Sequence, residues 1–232
     1  MKSYEHIFFD LDHTLWDFEK NSIVTMQAVF NELSLQEKGV HDFDSFYAIY
    51  HEINEKLWAK YRKKEISRNE LRWKRMYEAL THYKIFNEKL SHEMSDLYLH
   101  ILPKQRNVFP YAIDVLQYCR DKNYSIHLIT NGFELTQYEK IKNAGIDEFI
   151  DKMITSEQAM SMKPHKEIFD YAFLLTGAQA DNSIMIGDSY EADIEGAKTV
   201  NMDQVYFNPN KIKYQGTTTF EIACLSEIKN IL

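Results

Sequence analysis

The chain has 232 residues, of which 44% are hydrophobic and 14% aromatic, so its composition suits a folded protein with a sizeable core. Its formal net charge of −8 argues against binding to the phosphate backbone of a nucleic acid or to an anionic membrane surface. Two cysteines indicate no disulfide framework, and the sequence contains no run of 18 apolar residues that would predict a membrane-spanning helix. We therefore expect a cytoplasmic protein with no nucleic-acid polymer and no membrane as partner.

The first candidate element is a short apolar strand that leads directly into two acids. Residues 5–11 read as a buried strand, and Asp10 and Asp12 lie two residues apart at its end. Paired negative charge is costly to bury. In open α/β folds, however, ligands bind at the carboxyl ends of parallel strands. Two acids at such a point indicate a cation and a phosphate group nearby.

The next part of the chain has a helical hydrophobic pattern. Between about residues 17 and 102, apolar residues at helical spacing predict four helices with short connections, the pattern of a small bundle. Asp44 is expected to cap the second of these helices. Ser67 and Glu70 have the spacing of a capping box at the start of the third.

After Pro103 the pattern changes to alternating strands and helices. Strands are predicted at 124–129, at 149–150 and 153–154, at 183–186 and, as the last one, at 204–207; helices are predicted at 110–121, 134–144, 164–175 and 191–200. Alternation of this kind implies right-handed crossovers and a parallel sheet. We therefore expect an α/β core formed by residues 1–16 and 104–232, interrupted after its first strand by a helical domain at 17–103.

Further polar residues lie where the predicted strands end. Thr130 and Asn131 end one strand, Asp188 and Asp193 follow another, and Lys163 precedes a helix that Pro164 is expected to open. In a parallel sheet all these positions face the same edge. Carboxylates suit a hard cation such as Mg²⁺, whereas the lysine, the hydroxyl and the amides suit a phosphoryl group.

These motifs resemble those of the haloacid dehalogenase (HAD) superfamily of phosphatases. Asp10, Asp12 and Thr14 match its Asp-x-Asp-x-Thr signature, and its three further motifs are matched in order by Thr130, by Lys163 and by Gly187, Asp188 and Asp193. The resemblance implies a Rossmann-like parallel-sheet core with an inserted four-helix cap of the C1 type. The insertion and the turn after Thr130 are most similar to the branch that contains pyrimidine-specific 5′-nucleotidases.

The resemblance also implies roles for the residues that match the motifs. Asp10 would attack phosphorus and form an aspartyl-phosphate. Asp12 would give a proton to the leaving oxygen and then take one from the hydrolytic water. Lys163, Thr130 and the backbone of Asn131 would hold the phosphoryl oxygens.

We expect Mg²⁺ as the cofactor. The resemblance implies that Asp10, Asp188 and the backbone carbonyl of Asp12 bind Mg²⁺, with Asp193 completing the site through water. The cation would offset the repulsion between a carboxylate nucleophile and a phosphate dianion.

We expect the substrate to be a small phosphate ester, and pyrimidine nucleoside 5′-monophosphates are the class that the resemblance favours. Phosphoglycolate and sugar phosphates are the nearest alternatives, and a phosphomutase would keep the whole site. A 2-haloacid dehalogenase would need neither Mg²⁺ nor the acids at Asp12 and Asp188, and a binding protein without activity would have no need of these groups. Eight basic residues between Lys60 and Arg75 either form a basic surface that attracts phosphate esters or a solvated helix face.

Overall fold

The computed structural model describes residues 3–232, which fold into two compact units. One unit runs through Phe18 and resumes at Arg106, and the other comprises Glu19–Gln105. None of the helices among the described residues has the length and apolar character needed to cross a membrane.

The first unit contains a six-stranded sheet in which every pairing is parallel. Its strands are β1 (His6–Phe9), β2 (Ser125–Thr130), β3 (Lys152–Thr155), β4 (Ser183–Gly187), β5 (Asp203–Phe207) and β6 (Phe220–Ile222), in the spatial order β3-β2-β1-β4-β5-β6. This is the order of a Rossmann-like sheet, so the predicted fold class is confirmed. The strand order reverses between β1 and β4, the switch point where such sheets bind ligands.

The described residues of this unit form five α-helices and one segment of π-helix. They are α5 (Ala112–Asp121), α6 (Glu134–Ala144), α7 (Ser156–Ala159), α8 (Lys166–Thr176) and α9 (Gly196–Lys198), and the π-helix spans Tyr190–Glu195. Helices α6 and α8 end at glycines in the left-handed conformation, Gly145 and Gly177, with φ of 69° and 74°.

The register of the sheet brings the strand ends together. Phe9 is paired with Leu128 on one side and with Ile186 on the other. Phe8, one residue earlier, is fully buried in the hydrophobic core of the sheet. In this register β2 runs two residues and β4 one residue beyond the end of β1, so the polar residues at these three strand ends emerge at one edge.

Most predicted boundaries of this unit lie within two residues of those in the structure, and the main differences are these. Helix α8 begins at Lys166, so Pro164 precedes it and does not open it. The helix predicted at 191–200 is instead the π-helix followed by the single turn of α9. Residues 149–150 lie at the end of a 3₁₀ turn and outside β3, and β6 was missed because three residues carry too little pattern.

The second unit contains the four predicted helices. They are α1, which begins at the end of the first unit (Phe18–Glu32), α2 (Phe43–Arg62), α3 (Arg68–Thr81) and α4 (Glu88–Ile101). The capping box of α3 is present, with Glu70 N donating to Ser67 Oγ at 3.2 Å and Ser67 N donating to Glu70 Oε2 at 2.9 Å. The predicted cap of α2 is wrong: Asp42, in extended conformation, accepts from Ser45 N at 2.8 Å.

Candidate active site

Asp10 lies directly after β1, beside the end of β4. Its backbone N–H donates to Ile186 O at 2.9 Å, which continues the ladder between the two strands by one residue. The residue is buried, with 7% of its surface exposed. A carboxylate is therefore held at the switch point of the sheet by backbone that belongs to the sheet itself.

Lys163 reaches the same point from the turn before α8. Its ammonium donates to Asp10 Oδ1 at 2.5 Å, to Asp193 Oδ1 at 2.6 Å and to Ile129 O at 2.6 Å. These three acceptors match the three donors of an ammonium group, so the buried charge is fully hydrogen-bonded. Burial by itself lowers the pKa of Lys163, but the two carboxylates outweigh it and hold the pKa above its usual value. Lys163 is therefore positively charged.

Asn131 fixes the backbone of Lys163. The Asn131 side chain accepts from Lys163 N at 2.8 Å through Oδ1 and donates to Lys163 O at 3.0 Å through Nδ2. The sequence did not indicate this clamp, since it joins two motifs that lie 32 residues apart. It gives the Asn131 side chain the task of placing the lysine, in addition to the phosphate contact expected of its backbone.

Three carboxylates form a cluster at the strand ends. One oxygen of each of Asp10, Asp188 and Asp193 lies within 4.8 Å of those of the other two. Burial, with the neighbouring carboxylates adding to it, raises the pKa of Asp10 to about 8 and that of Asp188 to about 7, while Lys163 opposes both shifts. Burial and the crowding of carboxylates therefore both favour the protonated forms of Asp10 and Asp188.

Asp188 and Asp193 are placed by local backbone features. Thr14 Oγ1 accepts from Asp188 N at 3.1 Å and donates to Asp188 Oδ1 at 3.2 Å. Asp193 lies in the π-helix, and its Oδ2 accepts from Ser189 N at 3.0 Å. A π-helical turn often occurs at a functional site, where it redirects a side chain. Here it accompanies an Asp193 that is 1% exposed and points at Lys163.

Gly187 is the residue that makes room for Asp193. A Cβ atom at position 187 would lie 2.2 Å from Asp193 Oδ2, well inside any permitted contact. The glycine of the Gly-Asp-x-x-x-x-Asp motif is therefore required by the close approach of a carboxylate to the backbone.

Asp12 is directed towards α6, which contributes two residues that the sequence did not single out. Lys140 Nζ donates to Asp12 Oδ1 at 2.6 Å, and Gln137 Nε2 donates to Asp12 Oδ2 at 2.9 Å. Gln137 Nε2 also donates to Thr130 Oγ1 at 2.7 Å. Their helical spacing to Ile141 is visible in the sequence, but it does not distinguish a buried polar side chain from a solvated one.

Thr130 accepts two hydrogen bonds at the end of β2. Gly132 N donates to its Oγ1 at 3.1 Å, in addition to the donor from Gln137. A hydroxyl that accepts from two donors still has its own hydrogen to give. Thr130 is thus able to donate to an anionic oxygen at the sheet edge.

The basic stretch between residues 60 and 75 of the second unit does not form a uniformly charged surface. Arg72 and Lys74 each form an ion pair with a carboxylate of the same unit. Arg75 is 3% exposed, donates to Asn54 Oδ1 at 3.0 Å and lies over an aromatic ring. The expectation of an exposed basic surface is therefore wrong for Arg75, which belongs to the packing between helices.

The family of the chain follows from comparison with known proteins. The model of the haloacid dehalogenase-like hydrolase family matches residues 7–207, and the chain belongs to this family of enzymes. Pyrimidine 5′-nucleotidase PynA of Streptococcus pneumoniae is 28% identical and covers 99% of this chain and 97% of its own length. Pyrimidine 5′-nucleotidase YjjG of Escherichia coli is 28% identical over 99% of this chain and 98% of its own.

A solved structure has a similar fold over the same length. The crystal structure of the HAD-hydrolase YfnB from Bacillus subtilis, which is bound to magnesium, superposes with a TM-score of 0.89. It is 26% identical and covers 99% of both chains. The similarity therefore includes the helical unit as well as the sheet.

Removal of the Lys163 charge is expected to destabilise the fold. Lys163→Met leaves Asp10 and Asp193 buried without their partner. Because removing one member of a buried ion pair destabilises a protein by about 3 to 5 kcal/mol, we expect a loss of that size in the free energy of unfolding. The free energy of unfolding in urea at pH 7 measures this loss. The matched control is Lys166→Met, which breaks an exposed pair with Asp170 and is expected to cost at most about 0.5 kcal/mol. Equal stability of the two variants would contradict the role given to Lys163.

Proposed function

We propose that this enzyme is a phosphomonoester hydrolase that works through an aspartyl-phosphate on Asp10. The observation that carries the proposal is the contact of Asp10 with the buried ammonium of Lys163, beside two further carboxylates at the sheet edge. A carboxylate nucleophile needs positive charge nearby, because the phosphoryl group that it attacks is itself negative. Lys163 supplies part of that charge.

A divalent cation would supply the rest, and the donor set fits Mg²⁺. Three carboxylates against one ammonium leave an excess of negative charge, and carboxylate oxygens are the ligands that Mg²⁺ prefers. Asp10 and Asp188 would hold the cation, with the Asp12 carbonyl as a third ligand and Asp193 acting through water. Bound there, Mg²⁺ would neutralise charge on the transferring phosphoryl group. The magnesium bound in the YfnB structure supports this choice.

The reaction divides into two displacements at phosphorus. Asp10 attacks phosphorus, the ester bond breaks, and Asp12, which carries a proton in this step, gives that proton to the departing ester oxygen. Water then attacks the phosphorus of the aspartyl-phosphate, Asp12 takes the proton of that water, and Asp10 is regenerated as phosphate leaves. Thr130, Lys163 and the backbone of Asn131 hold the phosphoryl oxygens in both steps.

The substrate class that we propose is pyrimidine nucleoside 5′-monophosphates, in the cytoplasm. The support is that PynA and YjjG are similar over almost the whole of this chain, which includes the helical unit that lies outside the catalytic motifs. The alternative of a 2-haloacid dehalogenase has less support, because that chemistry uses neither an acid at Asp12 nor one at Asp188.

The substrate proposal predicts a preference that a panel of esters measures. With Mg²⁺ present, phosphate release is expected to be fastest from UMP and dUMP, and at least about tenfold slower from purine nucleotides, phosphoglycolate and sugar phosphates, since base contacts discriminate by about 1 to 3 kcal/mol. Asp10→Asn is the blank and is expected to lose all turnover. Faster release from a sugar phosphate or phosphoglycolate would support the proposed hydrolase activity but contradict the proposed nucleotide substrate. Transfer to a second hydroxyl without release of phosphate would indicate a mutase.

The metal proposal predicts a loss of magnesium affinity when the cluster loses one carboxylate. Asp188→Asn is expected to weaken Mg²⁺ binding by at least about tenfold, because metal sites lose 10- to 100-fold even when a supporting residue is changed. Calorimetric titration with MgCl₂ alone measures the affinity, and EDTA is expected to stop hydrolysis until Mg²⁺ is restored. Asp181→Asn, at an exposed position seven residues away, is the control. Unchanged binding in Asp188→Asn would place the cation elsewhere.

A further inference from the structure

The carboxylate of Asp12 is held at both oxygens by side chains of α6. Oδ1 accepts from the Lys140 ammonium at 2.6 Å and Oδ2 accepts from the Gln137 amide at 2.9 Å. Two donors aimed at the two oxygens fix both the position of the group and the rotation of its plane. We propose that Gln137 and Lys140 are positioning residues that orient Asp12 for proton transfer. This inference rests on the hydrolase chemistry proposed above.

Lys140 is built into the unit as a buried charge and not as a surface lysine. It is 3% exposed, and its ammonium lies 4.4 Å from the ring centroid of Trp16 and 5.5 Å from that of Phe18. Aromatic faces at these distances attract a cation and restrict where it lies. The ammonium is therefore held by two aromatic rings and by the Asp12 carboxylate together.

Gln137 joins Asp12 to the predicted phosphate-binding hydroxyl. Its Nε2 atom donates to Asp12 and also to Thr130 Oγ1 at 2.7 Å, and the side chain is 1% exposed. One amide group therefore sets the separation between the acid and the hydroxyl. The arrangement needs Gly132, because a Cβ atom at that position would lie 2.4 Å from Gln137 Cδ.

This geometry matters to the reaction because Asp12 acts on two different oxygens. It gives a proton to the ester oxygen as the bond to phosphorus breaks, and it takes a proton from water as that water attacks the aspartyl-phosphate. Proton transfer needs the donor and acceptor atoms within hydrogen-bond reach of each other in both steps. A misplacement of about 1 Å costs rate by as much as about 100-fold.

The leaving group distinguishes a positioning role from a structural one. An alkyl ester such as UMP leaves as a strong base and needs the proton of Asp12, whereas p-nitrophenolate leaves without one. The ratio kcat/KM reports the steps up to formation of the aspartyl-phosphate, so it isolates the first proton transfer from the second. A loss of positioning therefore lowers kcat/KM for the alkyl ester far more than for the aryl ester.

The test compares kcat/KM for p-nitrophenyl phosphate and for the best alkyl ester of the panel. Lys140→Met is expected to lower the alkyl value by about 10- to 100-fold and the aryl value by less than about threefold. Lys140→Arg keeps the charge and is expected to recover part of the alkyl activity. Lys142→Met, at an exposed position two residues along the same helix, is the matched control and is expected to change neither value.

A second variant, Gly132→Ala, disturbs the contact of Gln137 with Asp12 without removing a polar group. It is expected to lower kcat/KM for the alkyl ester selectively, as Lys140→Met does. It replaces Lys140→Met in the test if the unfolding temperature shows that Lys140→Met does not fold. Equal losses on both esters, or no loss on either, would overturn the positioning role while leaving the hydrolase in place. A wild-type protein that hydrolyses neither ester would overturn the proposed function and this proposal with it.

Discussion

The buried ammonium of Lys163 is the charge around which this site is arranged. Carboxylates are costly to remove from water unless an opposite charge and hydrogen bonds compensate, and Asp10 and Asp193 both obtain these from the same nitrogen. The compensation is incomplete, because Asp188 adds a third carboxylate to the cluster. Burial, with the neighbouring carboxylates adding to it, raises the pKa of Asp10, and the divalent cation that we propose would offset the negative charge of the cluster.

Much of the local structure follows from bringing these charges together. The Asn131 side chain holds both backbone groups of Lys163, so the lysine is fixed at its base as well as at its ammonium. The absence of a side chain at Gly187 and the π-helical turn after it let Asp193 approach the strand end closely. These features interrupt the regular helical geometry and restrict the backbone. In return, they position the charged side chains of the site.

The sequence predicted the sheet and the placement of its polar residues because parallel strands bring their carboxyl ends to one edge. Asp10, Thr130 and Asp188 could therefore be placed together from strand periodicity and spacing. Gln137 and Lys140 could not, because a polar pair on a helix face has no pattern that separates a buried contact from a solvated one. The cap at Asp42 was missed because Asp44, two residues later, satisfies the same sequence preference, and only backbone geometry decides between them.

The claim that Asp10 becomes phosphorylated is central, and trapping of the intermediate tests it most directly. Wild-type protein turning over substrate would be quenched in acid, reduced with borohydride and digested, since borohydride converts an aspartyl-phosphate to homoserine. We expect homoserine at position 10 in the peptide that contains Asp12, and none in protein quenched without substrate. An unmodified position 10 in enzyme that is releasing phosphate, or the modification at another acid, would contradict the account.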